Sequence, residues 1–214
     1  MNIDNLNSEQ QKAVIHQNGP MLVLAGAGSG KTKVLTSRIA YLIEQGVSPA
    51  NILAITFTNK AAREMKERVT NLIGYGANSI QISTFHSLGL KILKENYEFL
   101  GYEKNFVILD SDDTLTVVKK LMKDLNMNPK YYNARDLRGR ISSAKNELIT
   151  PEKFKKIEFD EKVVILYKKY CEKLKIGNSV DFDDLLILPI KLFELSENIL
   201  TYYQERFKYI LIDE

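Results

Sequence analysis

The sequence predicts an α/β fold in which helices flank a parallel sheet and an all-helical subdomain is inserted into that frame. Three observations predict it. Short β-type runs alternate with helical patterns through much of the chain, and such alternation builds parallel sheets. Between residues 110 and 181 the β signals vanish and apolar residues recur at helical spacing. A glycine-rich turn also joins an apolar run to a helix start near Lys31, the strand–loop–helix order of a parallel α/β unit.

Taken in order, the β-type runs fall at residues 21–25, 52–57, 80–84, 106–109 and 209–212. Each is a short β-type run, apolar or, at 80–84, alternating apolar with polar residues. Two apolar stripes mark the helical part: Leu115, Val118, Leu121, Met122 and Leu125, then Val163, Leu166, Tyr167, Tyr170 and Leu174. Thr150 before Pro151 and Glu152 places a capping hydroxyl ahead of a proline in a first helical turn. Pro189 should kink or end the helix expected from about Asp183. No internal repeat or flexible linker appears. The expected division is a discontinuous domain of residues 1–110 and 181–214, truncated at its acidic end, around a helical insertion of residues 111–180.

Composition sets the class. With 214 residues, 44% hydrophobic and 27% charged, the chain is long enough for a real core and falls outside the disordered and collagen-like classes. One cysteine, Cys171, cannot form an intramolecular disulfide, which fits a reducing compartment; beside Tyr167 and Tyr170 it reads as a packed core thiol. The longest apolar runs fall far short of the roughly 18 residues of a membrane span, and residues 1–10 lack a signal-peptide pattern. The expectation is a cytoplasmic protein without a membrane partner. The net charge of +3 hides an asymmetry, because residues 111–180 hold 16 Lys and Arg against 10 Asp and Glu. That local excess is either a solvated helical surface or a polyanion contact.

The strongest chemical signal is Ala25-Gly26-Ala27-Gly28-Ser29-Gly30-Lys31-Thr32. Glycines let backbone N–H groups converge on a phosphate, and the following helix adds the positive end of its dipole. Lys31 would reach the β and γ phosphates of a nucleotide, and Thr32 would offer a hydroxyl to Mg²⁺. Ala25 stands where the pattern usually has glycine, a small residue that the turn tolerates. Such a loop needs an acidic partner, and the run ending in Asp213 and Glu214 offers one at a strand's carboxyl end. Asp213 is suited to hold Mg²⁺ through water, and Glu214 to orient or deprotonate the attacking water. By itself, that pair could equally be a solvated acidic loop.

With these motifs in place the chain resembles the amino-terminal portion of the UvrD/Rep/PcrA-type superfamily 1 DNA helicases over essentially its whole length. Leu6-Asn7-Ser8-Glu9-Gln10-Gln11-Lys12-Ala13-Val14 is similar to the family's Q motif, which implies that Gln10 reads adenine; from composition it is a capped helix start. Ile55-Thr56-Phe57-Thr58-Asn59-Lys60-Ala61-Ala62 resembles motif Ia, and Ile82-Ser83-Thr84-Phe85-His86-Ser87 resembles motif Ib. The resemblance implies single-stranded DNA contacts for Phe57, by stacking, and for Thr58, Asn59, Thr84 and His86. From the residues alone, Phe57 is either a stacking platform or a core plug, His86 could cap a helix, and His16 is structural. Val180-Asp181-Phe182-Asp183-Asp184-Leu185-Leu186 resembles the segment returning the chain from the insertion.

The resemblance implies a RecA-like P-loop NTPase sheet and the first half of an ATP-driven 3′ to 5′ motor acting on single-stranded DNA and single/double-strand junctions. It also implies a second motor domain, absent from these 214 residues, that supplies arginines to the γ-phosphate. Two alternatives share the motifs: the motor part of a helicase–nuclease subunit, and a nucleotide-gated single-strand binding module. A small-molecule kinase would have no use for the Phe57 and Thr84 loops together.

Overall fold

The computed structural model describes residues 4–17 and 19–213. Along the chain run α1 (Ser8–Ile15), α2 (Lys31–Glu44), β1 (Ile52–Thr56), α3 (Asn59–Ile73), β2 (Gln81–Ser83), α4 (Phe85–Asn96) and β3 (Val107–Ile108). There follow α5 (Ser111–Asp124), α6 (Ala134–Asn146), α7 (Pro151–Phe154), α8 (Glu161–Ile176), β4 (Ser179–Val180), α9 (Asp184–Leu195), α10 (Glu197–Arg206) and β5 (Tyr209–Asp213). Contacts divide the chain into two compact units, Met1–Leu88 with Glu197–Glu214, and Gly89–Ser196. Residues 89–110 and 181–196 therefore pack with the inserted helices. No described helix is long and apolar enough to cross a membrane.

The first unit is built on a parallel sheet of order β2-β1-β5. In its register Ile55 pairs with both Ser83 and Ile212, and Thr56 pairs with Asp213, so the three carboxyl ends lie together. β1 is buried along its whole length because strands flank it on both sides. Ile39, Leu42, Ile52, Ala54, Met65 and Val69 form the core beside it. α3 starts where the Thr58 hydroxyl accepts from Ala61 N, and α1 where Asn7 and Gln10 form a reciprocal capping box.

Residues 21–25 depart from expectation, for they form no strand among the described residues. Leu22 and Leu24 are 83% and 86% exposed. An apolar run becomes a strand only when its N–H and C=O groups join a ladder, and these have not done so. The run at 106–109 is reduced to β3, which pairs with β4 outside the main sheet. β4 itself lies in a stretch without a β-type pattern, a two-residue strand too short to show a period.

The helical unit packs most of both predicted stripes into one core of Val118, Leu121, Met122, Val163, Leu166, Tyr167, Tyr170 and Leu174, with Leu125 and Cys171 against it, whereas Leu115 is not part of it. Burial pushes the Cys171 thiol up to about 12, far from a reactive thiolate. Thr150 caps α7 as the Thr-Pro-Glu pattern implies. Pro189 does not end its helix, which runs on to Leu195. The proline leaves the Leu185 carbonyl without a helical donor, and that oxygen packs onto Gly89 of α4, where an added Cβ would lie 1.9 Å from it.

Candidate functional site

The glycine-rich loop enters α2 through two left-handed residues, Gly28 at φ +74° and Gly30 at φ +87°. Side-chain-bearing residues rarely adopt that conformation, so Gly28 and Gly30 are required by backbone geometry. The Ser29 N–H closes the turn on Gly26 O at 3.3 Å. Lys31, at the first position of α2, rests its ammonium on the loop's own carbonyls, Ala25 O at 3.2 Å and Gly26 O at 3.1 Å. Gln10 Nε2 donates to Ser29 O at 2.9 Å and ties α1 to the same loop.

The loop encloses a cavity of about 360 Å³ lined by Ala27, Gly28, Gly30, Lys31, Thr32, Lys33 and Arg68. Among these described residues three side chains are cationic and none is anionic. Together with the amino end of α2, that charge suits an anion. Thr32 Oγ1 donates to Asp213 Oδ2 at 3.1 Å, although 181 residues separate them. The β5 register carries Asp213 there, and it brings together two of the residues that the sequence assigned to one metal. Glu214 lies outside the described residues. Among those described, no group of three or more His, Cys, Asp or Glu side chains could hold a metal. The Thr32–Asp213 oxygen pair instead fits a hard cation that takes its remaining ligands from water and phosphate, as Mg²⁺ does.

The two other loops leave the same ends of the sheet. Phe57 follows β1 and is 83% exposed, so it is no core plug. Thr58 spends its hydroxyl on the α3 cap, and Asn59 Oδ1 accepts from Ser87 Oγ at 3.3 Å, which links the two loops. Thr84 is buried, and its Oγ1 accepts from Ser87 N and donates to Ser87 Oγ. His86 is half-buried at the start of α4, where Phe85 is exposed. His16 caps the end of α1, as a structural residue would.

Sequence reasoning missed Arg68 and Lys33 at the cavity, and Arg38, whose guanidinium donates to three carbonyls at the end of α1. Arg68 lies two helical turns beyond the motif that drew attention to α3, on its solvent side, where nothing in the sequence separates it from other surface cations. Lys33 adjoins the loop motif, so adjacency was an available signal.

One family model and several relatives match the chain. Residues 6–214 match the family model described as the UvrD/REP helicase N-terminal domain. Over 99% of its length the chain is 51% identical to the ATP-dependent DNA helicase PcrA of Bacillus subtilis, of which it covers 29%. It is 49% identical to the protein of that name from Staphylococcus epidermidis and 48% identical to that from Staphylococcus aureus, covering 30% of each. The chain thus spans under a third of the length of these relatives.

Proposed function

The chain belongs to the UvrD/REP helicase family, and from that premise we propose that it is the nucleotide-binding half of an ATP-driven motor on single-stranded DNA. The observation that carries this is the juxtaposition, at one end of the sheet, of the Lys31 loop, the Thr32–Asp213 pair and the exposed Phe57. Backbone N–H groups of residues 26–30 and the Lys31 ammonium hold the phosphates. Gln10 presents an amide to adenine, whose N6/N7 edge it complements. Lys33 and Arg68 add positive charge at the mouth.

Thr32 and Asp213 would hold Mg²⁺, which supplies charge neutralisation between the β and γ phosphates. Glu214 accepts the proton of the water that attacks the γ-phosphorus, while ADP leaves. Hydrolysis of this kind is mostly positioning and charge stabilisation, and these residues form one wall of it. A second motor domain, in the length of the relatives beyond this chain, supplies the other wall and its arginines. We assign residues 1–110 and 181–214 to the motor domain and residues 111–180 to the inserted subdomain, the segments 89–110 and 181–196 being motor-domain chain that packs with the inserted helices. Phe57 stacks a base, and Thr58, Asn59, Thr84 and His86 shape the loops that hold the strand. Translocation runs 3′ to 5′, and single/double-strand junctions are its substrates in the cytoplasm.

Strand displacement by the full-length protein tests the reading. Unwinding that requires ATP, and that Glu214→Gln abolishes while ATP binding survives, supports it. Binding of single strands without displacement would reduce the protein to a nucleotide-gated binding module.

A further inference from the structure

We propose that Arg38 sets the base specificity of the nucleotide site, as a positioning residue that fixes the helix carrying Gln10 onto the helix carrying Lys31 and Thr32. The proposal rests on the nucleotide reading above and extends it to a residue outside the loop motif. α1 is eight residues long, too short to hold its shape without tertiary partners. Its apolar contact comprises Leu6, Ala13, Val14 and Val34, with Tyr41 against them. That patch is small and non-directional, and by itself does not define where along α2 the helix stops.

Arg38 supplies the direction. Its Nη1 donates to Ala13 O at 3.2 Å, Val14 O at 3.0 Å and His16 O at 2.6 Å. These are the terminal carbonyls that a helix cannot satisfy internally, and a cation there also meets the negative end of the helix dipole. The guanidinium is half-buried, and burial lowers its pKa from the ordinary value. It has therefore given up part of its hydration to cap this one helix.

The other end of α1 carries the amide that would meet the base. Gln10 Oε1 accepts from Asn7 N at 3.1 Å, and Nε2 donates to Ser29 O at 2.9 Å. The fit against the loop is close, since a Cβ on Gly30 would lie 3.1 Å from Gln10 Nε2. An amide distinguishes adenine from guanine by where its donor and acceptor sit, so a slide of α1 degrades discrimination first. Phosphate contacts should be spared, because Lys31, Thr32 and Arg38 all belong to α2.

Calorimetry on the 214-residue chain, with Mg-ATP, Mg-GTP and Mg-tripolyphosphate as probes, tests the assignment. In Arg38→Met the ATP-over-GTP preference should fall by about fivefold or more, the scale of coupling within one network, with tripolyphosphate affinity within about twofold of wild type. Arg38→Lys, which keeps the charge and a donor, should recover part of the preference. Combined with Gln10→Ala, Arg38→Met should remove no further preference, because both act through one amide.

An unchanged preference in Arg38→Met, or additive losses in the double variant, overturns the proposal while leaving nucleotide binding intact. Parallel loss of tripolyphosphate binding in a folded variant also overturns it, reducing Arg38 to a structural residue. If the wild type binds no tripolyphosphate, the nucleotide reading falls with it. Should circular dichroism show that the methionine variant does not fold, Arg38→Gln keeps a donating amide and is judged by the same ratio.

Discussion

Lys31 and Lys145 are the same residue in two regions that use it oppositely. Lys31 is half-buried at the mouth of a loop, its ammonium resting on two backbone carbonyls that carry no formal charge. Lys145, in α6 of the helical unit, is buried and held by Asp181 Oδ2 at 2.7 Å and Asp184 Oδ1 at 2.8 Å. Tyr170 donates to the same Asp181 oxygen, and Asp181 and Asp184 cap each other's backbone N–H groups. Burial lowers the Lys145 pKa, but the two carboxylates outweigh it and hold it above the usual lysine value. A cation at the mouth of an open loop can be met by an incoming anion, whereas one buried between carboxylates cannot. The first region presents its lysine to a new partner, and the second encloses it.

The largest effect that sharpens this contrast is expected at the committed lysine. Lys145→Ala leaves two carboxylates buried without their cation, a change that costs about 3–5 kcal/mol in comparable buried pairs. Denaturant unfolding should show that loss, with the Mg-ADP affinity of the folded fraction unchanged. A cost below about 1 kcal/mol would mean that the triad is solvated and the contrast false. Next in size, Lys31→Ala should leave the unfolding midpoint in place and raise the Kd for Mg-ATP by about a hundredfold, since charged contacts contribute ~1.5–3 kcal/mol each. Equal affinity in wild type and variant would remove the loop from the nucleotide site.

The same two lysines show what the sequence could convey. Lys31 was legible because its chemistry is local: the glycines, the threonine and the helix start are consecutive. β1 and β5 were legible because each is a short apolar run, although only β1 is buried throughout, and β2 because Ile80 and Ile82 alternate with polar residues. Lys145 was not, and it was counted as part of a basic surface although it is buried. Its partners Asp181 and Asp184 lie 36 and 39 residues away and fell outside the window in which charge was summed. Lys175, pinned to the carbonyls of Leu100 and Gly101, and Arg140, paired with Glu158, shrink that surface further. The run at 21–25 failed for a related reason: composition reports that a segment can be a strand, not that a ladder partner is available. Pro189 continued through a helix because Gly89 lets α4 come close to the carbonyl that the proline leaves open.

A smaller effect separates the exposed aromatic of the first region from the buried ones of the second. Phe57→Ala should leave stability within about 0.5 kcal/mol, as for other surface substitutions. It should weaken single-strand binding by the full-length protein by about 1–3 kcal/mol, one lost stacked base. Affinity measured by fluorescence anisotropy decides the matter, and an unchanged value returns Phe57 to the role of an unremarkable surface residue.

The smallest expected effect is a pH dependence confined to the committed region. Asp184 is pushed up to about 6, first by burial and then by the neighbouring Asp181 charge, against which Lys145 pulls down. Asp181 is held below its ordinary value: burial raises it, but Lys145 and the Tyr170 hydroxyl more than offset that. One ammonium thus serves two carboxylates, and the pair gives up its second negative charge more easily than the unfolded chain does. Between about pH 4 and 6 the folded state binds a proton at Asp184 that the unfolded state does not. Stability from this group is therefore present at the acid end of that window and lost as pH rises through 6. Asp181 acts with the opposite sign, its contribution fading only as pH falls below the ordinary carboxylate range. Other carboxylates titrate too, so the measurement is the difference between wild type and Asp184→Asn, whose amide does not titrate. From pH 7 to pH 5 that difference should move in favour of wild type by about 1 kcal/mol, a shift of one pKa unit being worth ~1.36 kcal/mol. A difference that is flat with pH would mean that both aspartates stay ionised in the core, and that Lys145 satisfies two charges as readily as one.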